Sequence, residues 1–131
     1  MANPELFREY AAQVLARVYA QHPVGIAISV AEDYPEIEPK NHEIFLCTVG
    51  WLITNGFLDA DTVATRVDKN FHGVCLTLRG LSVLDAVPAE LQEGKPSTLG
   101  QILRRKVEEG AAAVAGEMVK KALIELGSRL S

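Results

Sequence analysis

The chain has 131 residues, of which 48% are hydrophobic, and a formal net charge of −4 at pH 7. This length allows one hydrophobic core and is too short for two ordinary domains. The negative charge argues against non-specific binding to nucleic acid, because Lys and Arg supply most of that attraction. The sequence has neither a basic leader nor an apolar run near the roughly 20 residues that span a bilayer. We therefore expect a cytoplasmic protein with no transmembrane segment, whose Cys47 and Cys75 are reduced, buried thiols.

The first predicted elements are a helix and a short strand. Apolar residues recur every three or four positions from about residue 4 to residue 20, with Asn3 as the expected N-cap and Pro4 in the first turn. After the helix stop at His22-Pro23, the alternation from Ile26 to Val30 is typical of a strand. The acidic stretch 31–41 then predicts an exposed loop with at most one turn of helix.

A second long helix is predicted from about His42 to Thr54, and it has two apolar sides. One side is a broad stripe suited to the core: Phe45, Leu46, Val49, Leu52 and Ile53. Ile44, Cys47 and Trp51 form a second ridge on another side, which needs a partner. Because this helix contains no Lys or Arg, it is chemically poor for reading a DNA major groove.

A β-hairpin is predicted beyond Gly56, which suits a left-handed helix stop. Its expected strands are Thr62 to Val67 and Phe71 to Leu76, joined by the turn at residues 68–70. The hairpin carries the candidate DNA-binding residues Arg66, Lys69, Asn70 and His72, which suit a phosphate or a minor groove. The alternative is that this tip is polar only because it is solvated.

Three segments carry a resemblance to a known family: Trp51-Leu52, Gly56-Phe57-Leu58, and Leu76-Thr77-Leu78-Arg79-Gly80. Over about residues 4 to 88 they resemble the helix, wing and leucine-threonine-x-x-glycine step of bacterial winged-helix regulators. The whole chain is also similar to small bacterial proteins with this element order and a helical tail. The resemblance implies an α+β, mainly α fold: helix, short strand, loop, helix, hairpin wing and a short helix capped by Thr77. Winged helices serve as DNA readers, dimerisation modules or protein-binding adaptors.

A helical tail is predicted after this region, giving a winged-helix-like domain at 1–88, a linker at 89–98 and an amphipathic helix at 99–131. Thr98 and Gln101 form the pattern of a capping box, and we expect one helix to about Leu126 with Gly127 as its stop. Its apolar stripe shifts beyond Gly116, which predicts either a kink there or a second surface that meets a different partner.

Three arrangements of the tail are open: folding back onto the domain, pairing with a second copy, or attachment to a membrane surface. Self-association is favoured, because a long helix with two apolar faces is rarely left uncovered. Its candidate interface residues, added to Ile44, Cys47 and Trp51 of the second ridge, are Val107, Ala111, Val114, Met118, Val119, Leu123 and Leu126.

The sequence offers little support for catalysis. It has no glycine-rich phosphate loop, and His22, His42 and His72 are isolated from one another, without metal-ligand spacing. We therefore expect no enzyme, no cofactor and no metal site. The favoured function is a protein-interaction or dimerisation module that acts as an adaptor or regulator. The first alternative is a DNA-binding regulator that acts as a dimer through its wing, and the second is a peripheral membrane-surface protein.

Overall fold

The computed structural model describes residues 2–65, 67–86 and 98–130, and for residues 126–130 it describes the backbone alone. The fold is α+β and mainly helical. The helices are α1 (Asn3–Gln21), α2 (Val30–Asp33), α3 (His42–Thr54), α4 (Leu78–Asp85), α5 (Leu99–Glu108) and α6 (Ala112–Leu130), and the strands are β1 (Ile26–Ser29), β2 (Leu58–Asp59) and β3 (Asn70–Leu76). A 3₁₀ turn at Pro39–Asn41 leads into α3.

The first helix, α1, is the central element of the core, and the predicted helix from residue 4 to residue 20 is confirmed. Its apolar positions are fully buried at Ala11, Val14 and Val18, and α3, α5 and α6 all pack against it. The expected N-cap is wrong: Ala2 occupies that position, and Asn3 is already helical. The helix ends before the His22–Pro23 peptide bond, which is cis.

The three strands form an antiparallel sheet in the order β1-β3-β2, with Ile26 opposite Val74 and Leu58 opposite Leu76. The predicted strand from Thr62 to Val67 is wrong, since the described residues of that segment contribute a single bridge, between Thr62 and His72. Instead, Thr65 Oγ1 accepts hydrogen bonds from the backbone N–H groups of residues 67 and 68. Such local bonds compete with a strand ladder, and β2 takes the place beside β3.

The acidic stretch before α3 has little regular secondary structure, as predicted. It contains the single helical turn α2 and the 3₁₀ turn, while most of its side chains are exposed. Asp33 accepts a hydrogen bond from the Ser29 backbone N–H at 2.8 Å and forms an ion pair with Arg17 of α1 at 2.9 Å. These contacts tie the stretch to the core at its first turn.

The third helix has the predicted bounds, and its broad stripe faces the core. Phe45, Val49 and Leu52 are buried, whereas Leu46 and Ile53 are partly buried. A Schellman motif ends the helix: Gly56 has φ +80°, its N–H bonds to Ile53 O, and the Phe57 N–H bonds to Leu52 O. The predicted left-handed stop at Gly56 is confirmed.

The tail contains two helices, so the prediction of one continuous helix is wrong. The capping box of Thr98 and Gln101 is confirmed as the start of α5. That helix ends in a second Schellman motif, in which Gly110 has φ +79° and the Ala111 N–H bonds to Lys106 O. Helix α6 continues through Gly116, and the expected stop at Gly127 is wrong because the helix extends to Leu130.

Both tail helices pack against α1 within the same chain, which is the first of the three arrangements considered. Ala115 and Val119 of α6 are buried, and a Cβ added to Gly116 would lie 3.2 Å from backbone atoms of Arg8 and Glu9. The small residues of the tail therefore admit the backbone of α1. The predicted linker at 89–98 lies, except for Thr98, outside the described residues.

Candidate functional site

The second ridge of α3 forms one wall of an open cleft, and the first turns of α1 form the other. This α1–α3 cleft has a volume of about 770 Å³. Its lining residues are Asn3, Pro4, Phe7, Lys40, Glu43, Ile44, Cys47, Thr48 and Trp51. The structure thus brings together the three ridge residues that the periodicity singled out. It adds Pro4 and Phe7 of α1, whose place beside the ridge no pattern in the sequence indicates.

Trp51 is the largest side chain of the cleft and is 40% exposed. The Phe7 ring meets it edge-on with centroids 5.1 Å apart, and the Phe57 ring stacks on it at 6.0 Å. Phe57 in turn has the Arg79 guanidinium over its ring at 5.0 Å. Two aromatic rings thus contact the indole directly, while much of its surface still faces solvent.

The polar groups of the cleft are few. Thr48 is 2% exposed, and its hydroxyl donates to Ile44 O at 2.7 Å within α3. The ammonium of Lys40 is paired with Glu38 at 3.2 Å. Cys47 is exposed, so the prediction of a buried thiol there is wrong, and Cys75 is only partly buried. Cys47 lies outside the core because the second ridge faces the cleft.

Several acids lie near the phenol of Tyr10, a buried residue of α1. The pKa of Tyr10 lies above its ordinary value, chiefly because the phenol is desolvated by burial and then because of the charge of Glu9. A hydrogen bond with Asn41 acts in the opposite direction, while the charges of Glu38 and Glu36 add to the increase. The acidic stretch therefore acts electrostatically on the helix that forms one wall of the cleft.

Two of the candidate DNA-binding residues of the hairpin, Asn70 and His72, contact an acid. Asp68 accepts a hydrogen bond from the Asn70 backbone N–H at 3.0 Å, and its carboxylate lies 3.5 Å from His72 Nε2. Lys69 is exposed, and Arg66 lies outside the described residues. A carboxylate in the middle of this group repels a phosphate, so the described part of the hairpin tip is a poor phosphate site.

The candidate interface residues of the tail lie in two environments. Val119 is 3% exposed, and Val107, Met118 and Leu123 pack partly against the core of their own chain. Ala111 is partly buried and Val114 is 50% exposed. The side chain of Leu126 lies outside the described residues. The apolar face of α6 is thus largely used within the chain.

Within the described ranges, no group of three or more His, Cys, Asp or Glu side chains is arranged to hold a metal ion. In the same ranges, the structure contains no helix with the length and apolar character needed to cross a bilayer.

No protein-family model, curated protein or solved structure matches the chain.

Proposed function

We propose that this chain is a non-catalytic protein-interaction module, an adaptor or regulator with a variant winged-helix fold, and that the α1–α3 cleft is its docking surface. The order α1-β1-α2-α3-β2-β3 and the sheet order β1-β3-β2 support the winged-helix assignment. In this variant the second helix is the single turn α2, and the helix in the reading position, α3, carries an apolar ridge.

The observation that carries this proposal is the state of Trp51. An indole that is 40% exposed, beside an exposed Cys47 and a partly buried Ile44, leaves apolar area in contact with water. Trp anchors in concave, well-packed positions are the residues that most often dominate protein–protein binding energy. The contacts with Phe7 and Phe57 already restrain the Trp51 side chain, so little of its conformational entropy is lost when a partner binds.

DNA binding through the hairpin and a tail-mediated homodimer have weaker support. The hairpin tip has Asp68 among its polar groups, and the chain carries a net charge of −4. Because Val119 is buried within its own chain, a second copy would contact mainly the outer side of α6, where Val114 lies. DNA binding predicts a mobility shift of duplex DNA that Lys69→Ala weakens. A homodimer predicts the mass of a dimer in light scattering.

The docking proposal is tested by site-specific photocrosslinking in the cells that express the protein. A photoreactive phenylalanine analogue replaces Cys47 in the cleft, and the control chain carries it at Val24, which is 64% exposed beyond the other end of α1. We expect a discrete crosslinked protein from position 47 alone, lost when Trp51→Ala is added. Equal crosslinking at both positions, or a product unaffected by Trp51→Ala, contradicts the proposal.

A further inference from the structure

The connection between α5 and α6 is short and depends on one glycine. It consists of residues 109–111, called here the α5–α6 hinge, in which Gly110 has φ +79°. Two hydrogen bonds close the turn, from the Gly110 N–H to Val107 O at 3.0 Å and from the Ala111 N–H to Lys106 O at 2.8 Å. The direction of α6 relative to α5 therefore depends on the left-handed conformation of a single residue.

The same sequence also suits an open hinge, in which α5 and α6 are one helix. The apolar periodicity runs through the hinge, and a Cβ added to Gly110 meets nothing within 4 Å. If Gly110 takes helical dihedrals, the N–H groups of residues 110 and 111 exchange their turn bonds for helical bonds. The first-turn N–H groups of α6, which have no partners within that helix, then gain carbonyl acceptors at the end of α5. The open hinge thus gains main-chain hydrogen bonds.

Opening the hinge removes α6 from its own α1, and the surface that it leaves must be covered again. Helix α6 packs more extensively on α1 than on α5. Ala115 and Val119 are buried there, and Gly116 lies against the backbone of Arg8 and Glu9. A second copy of the chain supplies an identical helix. Every contact of α6 with α1 and α5 can therefore form again between two chains, and only the hinge changes.

We propose that the chain forms a dimer by exchange of α6: the α5–α6 hinge opens, and α6 of each copy packs on α1 of the other. This dimer differs from pairing through the outer side of α6, because here the buried face of α6 contacts the second copy. No described residue of α5 or α6 lines the α1–α3 cleft, so the inference is independent of the proposed function. The exchanged dimer carries two such clefts.

Two hinge substitutions should shift the exchange in opposite directions. Gly110→Ala penalises the positive φ of the closed hinge and favours the continuous helix, so it should raise the dimer association constant at least about ten-fold. Ala112→Pro should abolish the dimer, because proline is accepted in the first position of α6 but breaks a continuous helix. Gly50→Ala is the matched control, since it also adds a Cβ with nothing within 4 Å, and it should leave the association constant unchanged.

The association constant is measured by light scattering on the full chain over a range of concentrations. Each sample is first refolded from urea at its final concentration, so that slow opening of the folded monomer does not hide the equilibrium. For the unsubstituted chain, the fraction of dimer should rise with concentration.

A disulfide between α1 and α6 identifies the chain that supplies the helix. A Cβ at Gly116 lies 3.3 Å from the Cβ of Arg8, close to the spacing of about 3.5–4.5 Å in disulfides. One chain carries Arg8→Cys and the other Gly116→Cys, both with Cys47→Ala and Cys75→Ala, and the two are refolded together. The exchanged dimer should form a disulfide between the unlike chains, which Ala112→Pro in both chains should prevent.

A positive control places both new cysteines in one chain that also carries Ala112→Pro, where the disulfide should form within the monomer. Three results would overturn the inference. They are an unsubstituted chain that stays monomeric at every concentration after refolding, a dimer that Ala112→Pro leaves intact, and a dimer that gives no disulfide between unlike chains while the control forms its own. Either of the last two would place the dimer contact on another surface.

Discussion

The ring of Phe57 stacks on the indole of Trp51, with centroids 6.0 Å apart and planes inclined by 16°. Phe57 is the buried last residue of the Schellman motif that ends α3, whereas Trp51 lies on the second ridge and is partly exposed. Phe57 thus links the core to the cleft, because its buried ring supports the indole of Trp51.

This stacking predicts an energetic coupling between the two rings. A double-mutant cycle of Trp51→Leu and Phe57→Leu, measured by urea unfolding, should give a coupling of about 0.5–1.5 kcal/mol. The control cycle pairs Trp51→Leu with Phe71→Leu, since Phe71 is a buried aromatic residue of β3 with no ring contact to Trp51 in the described chain. Strictly additive effects in the first cycle would mean that Phe57 does not support the indole.

The leucine-threonine-x-x-glycine step has a physical explanation in the contacts of Thr77 and Gly80. Thr77 Oγ1 donates to Gly56 O and accepts from the Gly80 N–H at 3.0 Å, and a Cβ on Gly80 would collide with the carbonyl oxygen of Phe57. We expect Gly80→Ala to lower the free energy of unfolding by more than about 2 kcal/mol. Thr77→Ala should lower it by about 0.5–2 kcal/mol, and Thr77→Ser by less. A neutral Gly80→Ala variant would refute this packing.

The break between α5 and α6 predicts opposite effects of alanine at two glycines. A Cβ meets nothing within 4 Å at either Gly110 or Gly50, but only Gly110 has a positive φ, +79°. Gly110→Ala should therefore destabilise the fold by about 1 kcal/mol, while Gly50→Ala inside α3 should stabilise it by about 0.5–1 kcal/mol. Stabilisation by both substitutions in thermal unfolding would favour one continuous tail helix.

The packing of the tail on α1 predicts a position-specific effect on α6. Ala115 is fully buried against the core, whereas its near neighbour Ala113 is exposed. Ala115→Leu should cost about 1–3 kcal/mol through overpacking, and Ala113→Leu less than about 0.5 kcal/mol. Equal, small effects in chemical denaturation would show that α6 is not held against its own chain.

The three tyrosines predict a loss of stability at alkaline pH. Burial raises the pKa of Tyr34 while the positive charge of Arg17 opposes it, and the pKa values of Tyr10 and Tyr19 are also raised, chiefly by burial. The folded state holds these protons more tightly than the unfolded chain. The corresponding stability is therefore fully present below pH about 10 and is lost as pH rises through the folded-state values.

Ultraviolet absorbance and circular dichroism together check this expectation. Phenol ionisation should coincide with unfolding above pH 10. Tyr34→Phe should make the decline shallower, because it removes one of the phenols whose pKa is raised in the folded state. Ionisation of all three phenols near pH 10 in an intact fold would contradict the raised pKa values.

Local signals in the sequence were sufficient to predict much of the fold. The bounds of α3, the stop at Gly56 and the caps at Thr77 and Thr98 each depend on residues within one turn. The break at Gly110 was missed because that glycine falls on the apolar stripe between good helix formers, where a Schellman motif resembles one more helical turn.

Features that depend on contacts between distant parts of the chain were harder to predict from the sequence. Residues 62–67 are rich in β-branched side chains, which are typical of a strand. The strand that pairs with the end of β3 is nevertheless β2, in which Leu58 lies opposite Leu76. For the cleft, the period of α3 predicted the ridge of Ile44, Cys47 and Trp51. It carries no information about which part of the chain forms the opposite wall, so Phe7 of α1 was not foreseen.

The most direct test of docking at the α1–α3 cleft compares the alkylation rates of Cys47 and Cys75 in the same chain. Cys47 is exposed in the cleft and Cys75 is partly buried on β3, so their ratio in the purified protein sets the reference. If a partner fills the cleft, the ratio falls several-fold in cells that express the chain and returns to the reference value in the Trp51→Ala variant. An unchanged ratio in cells, with the wild-type chain at its natural level, would contradict the proposal that this cleft binds a protein partner.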